Sequence, residues 1–313
     1  MKVEIDPGSG FCGGVIRAIN KAEEFLSGHP KLYSLGEMVH NEAELGRLSA
    51  RGLIPISREA LPELKPGETV LIRAHGEPPS TYEAAAHLNI IDCTCPVVLK
   101  IQKSIREAHD RLAGKGTIVI FGKIGHPEVL GLVGQVSAQP ATRSSAPSGS
   151  FEGERPAFAD SSTAVLVVEN LEQLQEAVSD ARVAAPVEVF SQTTKNPVEY
   201  EQICSVLQEI YPDTVVHNTI CSQVAERHRA LSEFAAAHDV IVFVAGRQSS
   251  NGRVLFELCR SVNPKSYLIG DVSELQPTWF AGASTVGICG ATSTPKWLLE
   301  NVAKILTFAG YES

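Results

Sequence analysis

Three cysteines stand where thiol chemistry could be gathered. Cys12 lies in "GSGFCG", Cys95 in "DCTCPVV" and Cys221 in "TICSQ". Each comes just after a strand-like run ("KVEID", "NIID", "TVVHN") and just before a helical pattern. The chain has seven cysteines, at 12, 93, 95, 204, 221, 259 and 289, an odd number with no CxxC pair. That argues against a disulfide scaffold, a zinc ribbon or a thioredoxin-type site. Burial in a core is the plain alternative for any one thiol. One cysteine per repeat, at the same kind of strand end, is instead what three modules around a common axis would supply. Three thiolates converging there make a metal or cluster site.

Other chemistry-bearing residues share that position. His40 in "MVHN", His75 in "RAHGEPP" and His126 in "GHPEV" each stand beside a helix start or turn. Three histidines beyond strand ends suit an anionic ligand. Glu128, on the first turn of a helix, reads either as a charge favouring the helix dipole or as a proton donor. "GRQSSNG", with Ser249, Ser250 and Asn251, puts side-chain donors beside exposed backbone N–H groups, as in an anion cradle. "CGATSTP", with Ser293, repeats the design, and "SQTTKNP", with Thr193, supplies further hydroxyls. "GSGFCG" also fits a dinucleotide fingerprint, with Glu37 near the distance for a ribose carboxylate. Pro7 breaks that strand early, however, and Cys12 fills the turn where pyrophosphate would pack. The glycines can equally let the backbone crowd round a ligand on Cys12.

The elements positioning these residues alternate. Strand-like runs at "KLYSL", "TVLIRA", "TIVIFG", "TAVLVV", "VEVFS", "DVIVFVAG", "KSYLIG" and "TVGICG" join the three above. Helical patterns cover 15–26, 41–50, 97–113, 197–211, 222–237, 251–261 and 295–307. Alternation of this kind predicts mostly parallel sheets covered by helices, with ligands beyond the carboxyl ends of the strands. The expected division is a first α/β module at 1–95 including the N-terminal strand, a second at 96–196, a third at 197–294, and a C-terminal helix at 295–313. Residues 137–162, rich in Ser, Pro, Gly and Ala, read as a surface insertion in the second module.

The 313 residues carry a net charge of −9 with no Lys/Arg cluster, which reads against nucleic-acid binding. No apolar run reaches the roughly 20 residues that span a bilayer. The acidic start lacks a signal-peptide core, so a cytoplasmic protein with reduced thiols is expected.

In order and approximate spacing, "GFCGGVIRAI", "VHN", "AHG", "TCPVV", "GHPEV", "SQTT", "TIC", "SSN" and "STP" resemble the 4-hydroxy-3-methylbut-2-enyl diphosphate reductase family. The resemblance runs from about Gly10 to the final helix. It implies three similar α/β modules around a pseudo-threefold axis. At the centre it implies a 4Fe–4S cluster held by Cys12, Cys95 and Cys221, with one iron lacking a protein ligand. It further implies a diphosphate held by His40, His75, Ser249, Asn251 and Ser293, with Ser250 beside them. Glu128 would deliver a proton, Thr193 relay it, and His126 line the cavity. The reaction implied is reductive dehydroxylation of the allylic diphosphate to isopentenyl and dimethylallyl diphosphate. Electrons would come from a ferredoxin or flavodoxin-type donor.

Three departures stand out. The insertion at 137–162 is longer than the resemblance leads one to expect. Val224 replaces a cavity-side threonine, and Cys93 stands where alanine is common. Cys95 is expected as the ligand and Cys93 not, although side chains two apart on an extended segment share a face. Two rivals use the same residues. One is a non-redox cluster enzyme of similar plan, a dehydratase or a quinolinate-synthase-like enzyme. The other is a metal-free phosphate-ligand-binding protein.

Overall fold

The structure is a computed structural model that describes residues 1–136, 163–247 and 249–308. The expected insertion at 137–162 lies outside the described residues, as do 309–313.

Among the described residues twelve strands form three four-stranded parallel sheets. In chain order the strands are β1 (Lys2–Ile5), β2 (Leu32–Leu35), β3 (Leu53–Ile56), β4 (Thr69–Ile72), β5 (Asn89–Asp92), β6 (Thr117–Phe121), β7 (Ala164–Val168), β8 (Val187–Ser191), β9 (Val215–Val216), β10 (Val240–Val244), β11 (Ser266–Ile269) and β12 (Thr285–Gly290). The helices are α1 (Gly13–Leu26), α2 (Glu42–Ser49), α3 (Pro79–Ala84), α4 (Pro96–Leu112), α5 (Pro127–Val133), α6 (Leu171–Ser179), α7 (Pro197–Ile210), α8 (Ser222–Ala236), α9 (Ser250–Val262) and α10 (Lys296–Phe308).

The sheet orders are β3-β2-β4-β5, β7-β6-β8-β9 and β11-β10-β12-β1. Numbered within its own module, each sheet therefore runs second, first, third, fourth. The third module takes its fourth strand from the N-terminus, with Lys2 beside Thr285 and Ile5 beside Ile288. In every module the fourth strand lies at an edge and leads to one of the three cysteines.

The helix after each of those cysteines leaves its own sheet and packs on the next. Ala18, Ile19 and Ala22 of α1 join Leu32, Leu53 and Leu71 of the first sheet. Ile101, Ile105 and Ala108 of α4 join Ile118, Ile120 and Phe190 of the second. Leu231 and Ala235 of α8 join Ile241, Phe243 and Cys289 of the third. The apolar stripe of each helix has no other surface to bury, so the three modules close into a ring.

Sheet membership departs from the expected spans at three places. β1 completes the third sheet rather than the first. α7 and the short β9 belong with the second, where Tyr200, Ile203 and Leu207 meet Phe121 and Val189. The C-terminal α10 packs on the third sheet through Leu298, Leu299, Val302 and Leu306. β1 and β9 complete sheet edges and satisfy backbone groups left open there, while α7 and α10 cover apolar faces of the sheets they pack on. Among the described residues no helix is long and apolar enough to cross a membrane.

Candidate functional site

The same loop positions recur in all three modules. The fifth residue after the first strand of each is His40, His126 or Ser249, beside the start of α2, α5 or α9. The second residue after each third strand is Ala74, Thr193 or Thr292. Its carbonyl accepts the backbone N–H of the module's cysteine: Cys95 to Ala74 at 3.0 Å, Cys221 to Thr193 at 3.0 Å and Cys12 to Thr292 at 3.3 Å. Each cysteine is thus pinned to the loop that carries His75, Thr193 or Ser293.

Cys12, Cys95 and Cys221 are the N-caps of α1, α4 and α8, all with extended backbone and none with a side-chain capping bond. Each thiol thus stands at a helix N-terminus without serving as its cap. Cys95 and Cys221 are near enough to act electrostatically on Cys12, whose pKa burial pushes up. Gly14 leaves space beside Cys95, since a Cβ there would stand 3.2 Å from its Sγ. Cys93 lies instead in the core of the first module, 1% exposed. The extended run ends at Asp92, whose Oδ1 accepts both the backbone N–H and the hydroxyl of Thr94. That turn separates two thiols that a continuous strand would aim alike.

His40, His75 and His126 form a compact trio, with ring nitrogens within 4.8 Å of one another. Ring centroids are 5.2 Å apart for His75 and His126, 5.8 Å for His40 and His75. Burial lowers all three pKa values, with a further push from Arg73; His126 falls to about 3 and His75 well below the ordinary value. The Arg73 guanidinium is itself buried and donates to the Glu37 carbonyl at 2.8 Å. Gly36 is required there, because its φ is +73° and a Cβ would meet the guanidinium carbon at 2.7 Å. A buried cation behind neutral imidazoles opposes a divalent metal and favours an anion.

The third module closes this pocket. Gly246 packs so tightly that a Cβ would stand 2.1 Å from the His40 carbonyl oxygen, which sets "SSN" beside the first histidine. Ser249 and Ser293 share a hydroxyl contact at 3.2 Å, and Ser249 accepts the Gly252 N–H. Asn251 Nδ2 donates to Thr292 Oγ1 at 2.7 Å while its Oδ1 is buried without a partner. Turned over, the amide would accept the threonine hydroxyl and offer its NH₂ to a ligand. His75 Nδ1 is likewise buried and unpartnered. Ser250 opens α9, but its side chain lies outside the described residues.

Glu128 is 2% exposed. Its Oε1 accepts the Thr193 N–H at 2.7 Å and its Oε2 the Thr193 hydroxyl at 2.8 Å. Burial outweighs both bonds and raises its pKa to about 7. His126 Nδ1 accepts the Glu128 N–H at 3.2 Å, which leaves Nε2 to carry the proton of the neutral ring. A buried carboxyl is therefore tied, through the hydroxyl it accepts from, to the loop that also accepts the Cys221 N–H. Val224, buried one turn into α8, offers no hydroxyl.

Sequence reasoning missed Arg73, Gly246 and the ties of Arg17 and Arg227 discussed below. The signal for Arg73 was its place at a strand end, two residues before His75.

Fold and site together define a three-module α/β protein with a thiol from each module, a pocket lined by imidazoles, hydroxyls and an amide, and a buried acid. The family described as LytB protein matches residues 3–307. A 4-hydroxy-3-methylbut-2-enyl diphosphate reductase of Bacteroides thetaiotaomicron is 44% identical over 308 residues, covering 96% of each chain. One from Chlorobium phaeobacteroides is 43% identical over 336 residues, covering 99% of this chain and all of its own. The solved structure of "(E)-4-Hydroxy-3-methyl-but-2-enyl Diphosphate Reductase, the Terminal Enzyme of the Non-Mevalonate Pathway" superposes with TM-score 0.67 at 32% identity, covering 98% of this chain and 99% of that one. The Plasmodium falciparum reductase structure shares the fold at TM-score 0.81 and 24% identity, covering 99% of this chain and 89% of that one. The chain belongs to the LytB family.

Proposed function

We infer that this protein is an oxidoreductase of the non-mevalonate isoprenoid pathway that converts 4-hydroxy-3-methylbut-2-enyl diphosphate to isopentenyl and dimethylallyl diphosphate. Its curated relatives are named for that reductase activity, and nearly full-length identity above 40% supports the transfer. The observation that carries the site reading is the meeting of His40, His75, Ser249, Asn251 and Ser293 from two modules beside Arg73. Neutral imidazoles, hydroxyls and an amide can surround a diphosphate with donors, and a bound anion would raise the histidine pKa values toward the charged form. The diphosphate is then the handle that fixes the carbon end near Glu128.

Cys12, Cys95 and Cys221 fit an iron–sulfur cluster: all three are half-buried, share one extended backbone geometry and make no side-chain capping bond. A 4Fe–4S cluster with one iron free of protein ligands would supply the Lewis acid and the electrons for C–O cleavage. Glu128 holds the proton that the departing hydroxyl needs to leave as water, and Thr193 fixes both carboxyl oxygens. His126 holds the helix start on which Glu128 sits. Balance requires an electron pair and a second proton for the allylic carbon skeleton. The electrons come from a ferredoxin or flavodoxin-type donor in a cytoplasmic setting.

The cluster assignment is tested by iron and acid-labile sulfide content after anaerobic preparation. Cys95→Ser should lose most of both, while Cys93→Ala retains them and gives up only core packing. The reverse pattern would remove Cys95 from the ligand set.

A further inference from the structure

On the reductase reading, an electron donor must reach the cysteines, and the three seams between modules differ in how far they close over them. Each cysteine-bearing helix carries a long cation little more than a turn beyond its cysteine: Arg17 on α1, Lys100 on α4 and Arg227 on α8. Two of them close their seams. Arg17 donates to the Thr94 carbonyl, directly before Cys95. Arg227 pairs with the buried Asp6, donates to Ser9 Oγ at 2.7 Å and to the Gly290 carbonyl at 3.2 Å, and so clamps the segment leading to Cys12. Lys100 is exposed and, among the described residues, has no hydrogen-bond or ion-pair partner.

The seam that Lys100 leaves open is a groove of about 1020 Å³ between α4, α7 and the β9–α8 loop, with Cys221 in its lining. His40, His75, His126, Ser249, Asn251 and Ser293 do not line it, so it is separate from the anion pocket. Its middle is apolar, with Val97 and Val216 each 39% exposed. Its rim carries Lys100 on one wall and the exposed Glu201 and Glu226 on the facing walls. A small apolar centre with a sparse charged rim is the form of transient redox interfaces, which bury less than about 1,200 Å².

We propose that this open seam is the docking face for a small one-electron carrier protein. The carrier would set an apolar patch over Val97 and Val216, an acidic residue against Lys100 and basic residues against Glu201 and Glu226. It is oxidised by one electron at each visit, and two visits supply the pair that breaks the C–O bond. Cys221 is the thiol it meets, because the equivalent approaches to Cys95 and Cys12 are crossed by arginine side chains.

The test uses cluster-loaded protein carrying Val97→Asp with Lys100→Glu. The control is Ile90→Asp, in the smaller pocket of about 480 Å³ at the seam that Arg17 crosses. Turnover is driven either by reduced flavodoxin or by dithionite-reduced methyl viologen, and flavodoxin binding is followed by calorimetric titration. The double variant should raise the KM for flavodoxin and weaken its binding at least about tenfold. Viologen-driven turnover and iron content should stay at the parent level, and Ile90→Asp should change neither. Unaltered flavodoxin KM and binding in the double variant, or an equal loss in Ile90→Asp, would overturn the proposal. Absence of viologen-driven turnover in the parent would count against the reductase reading instead, and the titration would still decide the groove.

Discussion

At the scale of single residues, the proposed chemistry turns on Glu128. Its burial and its two bonds to Thr193 pull in opposite directions, and burial wins, to about 7. The acid form is therefore present below that pH and lost above it, so turnover should decline as pH rises past about 7. Glu128→Gln keeps the shape and the acceptance from Thr193 at one oxygen but carries no transferable proton. Turnover should fall by roughly 10²–10⁴-fold with iron content and substrate affinity unchanged, measured by steady-state kinetics and calorimetry. Linkage gives an independent check. Between the carboxyl's ordinary value of 4.5 and about 7, the folded chain holds a proton that the unfolded chain releases. Stability of the cluster-free protein should thus drop as pH rises across that window, by on the order of 3 kcal/mol, and Glu128→Gln should flatten the drop. A pH profile of denaturant unfolding that is equally steep in both proteins would show the carboxyl is not perturbed.

At the scale of elements, the site is a loop arrangement used three times. Its tightest joint is between the β10–α9 loop and the β2–α2 loop, where Gly246 meets the His40 carbonyl. Gly246→Ala forces the backbone of the serine loop away from the histidines. It should cost about 1–3 kcal/mol in thermal or denaturant unfolding. The substrate KM should rise about tenfold, the equivalent of 1.4 kcal/mol, while the cluster stays intact. Much of this arrangement was legible in the sequence. Eleven of the twelve strands and the three cysteine positions follow from apolar runs and the helix patterns after them. β3 escaped because Pro55 breaks its pattern; the strand is an edge, where a missing N–H costs no ladder bond. The partner of β1 was not legible, because pairing across the length of the chain leaves no local signature. Neither was the separation of Cys93 from Cys95, which depends on a turn built by the Asp92 carboxylate. Arg73 and Gly246 were hidden for the same reason, since their roles exist only after the modules meet.

At the scale of the whole molecule, each module lends its cysteine and its following helix to the next, so no module completes either its core or its site alone. The ring is locked where the N-terminal segment meets α8, through the buried Arg227–Asp6 pair. Arg227→Met leaves that carboxylate unpaired and should cost about 3–5 kcal/mol by denaturant unfolding. Adding Asp6→Asn should recover a good part of the loss; a variant as stable as the parent would mean that this seam holds without the pair. The same closure brings Cys95 and Cys221 within electrostatic reach of Cys12 and sets the histidine–serine pocket beside the loops that hold the three thiols. The proposed reduction needs these groups acting together. The most direct test is a single turnover. Anaerobic, cluster-loaded protein at substrate-equivalent concentration is mixed with 4-hydroxy-3-methylbut-2-enyl diphosphate, with and without excess dithionite-reduced methyl viologen to supply both electrons, and the diphosphate products are quantified. Isopentenyl and dimethylallyl diphosphate should form only in the reduced sample. Substrate loss without reductant, or no conversion by the reduced protein, would contradict the account.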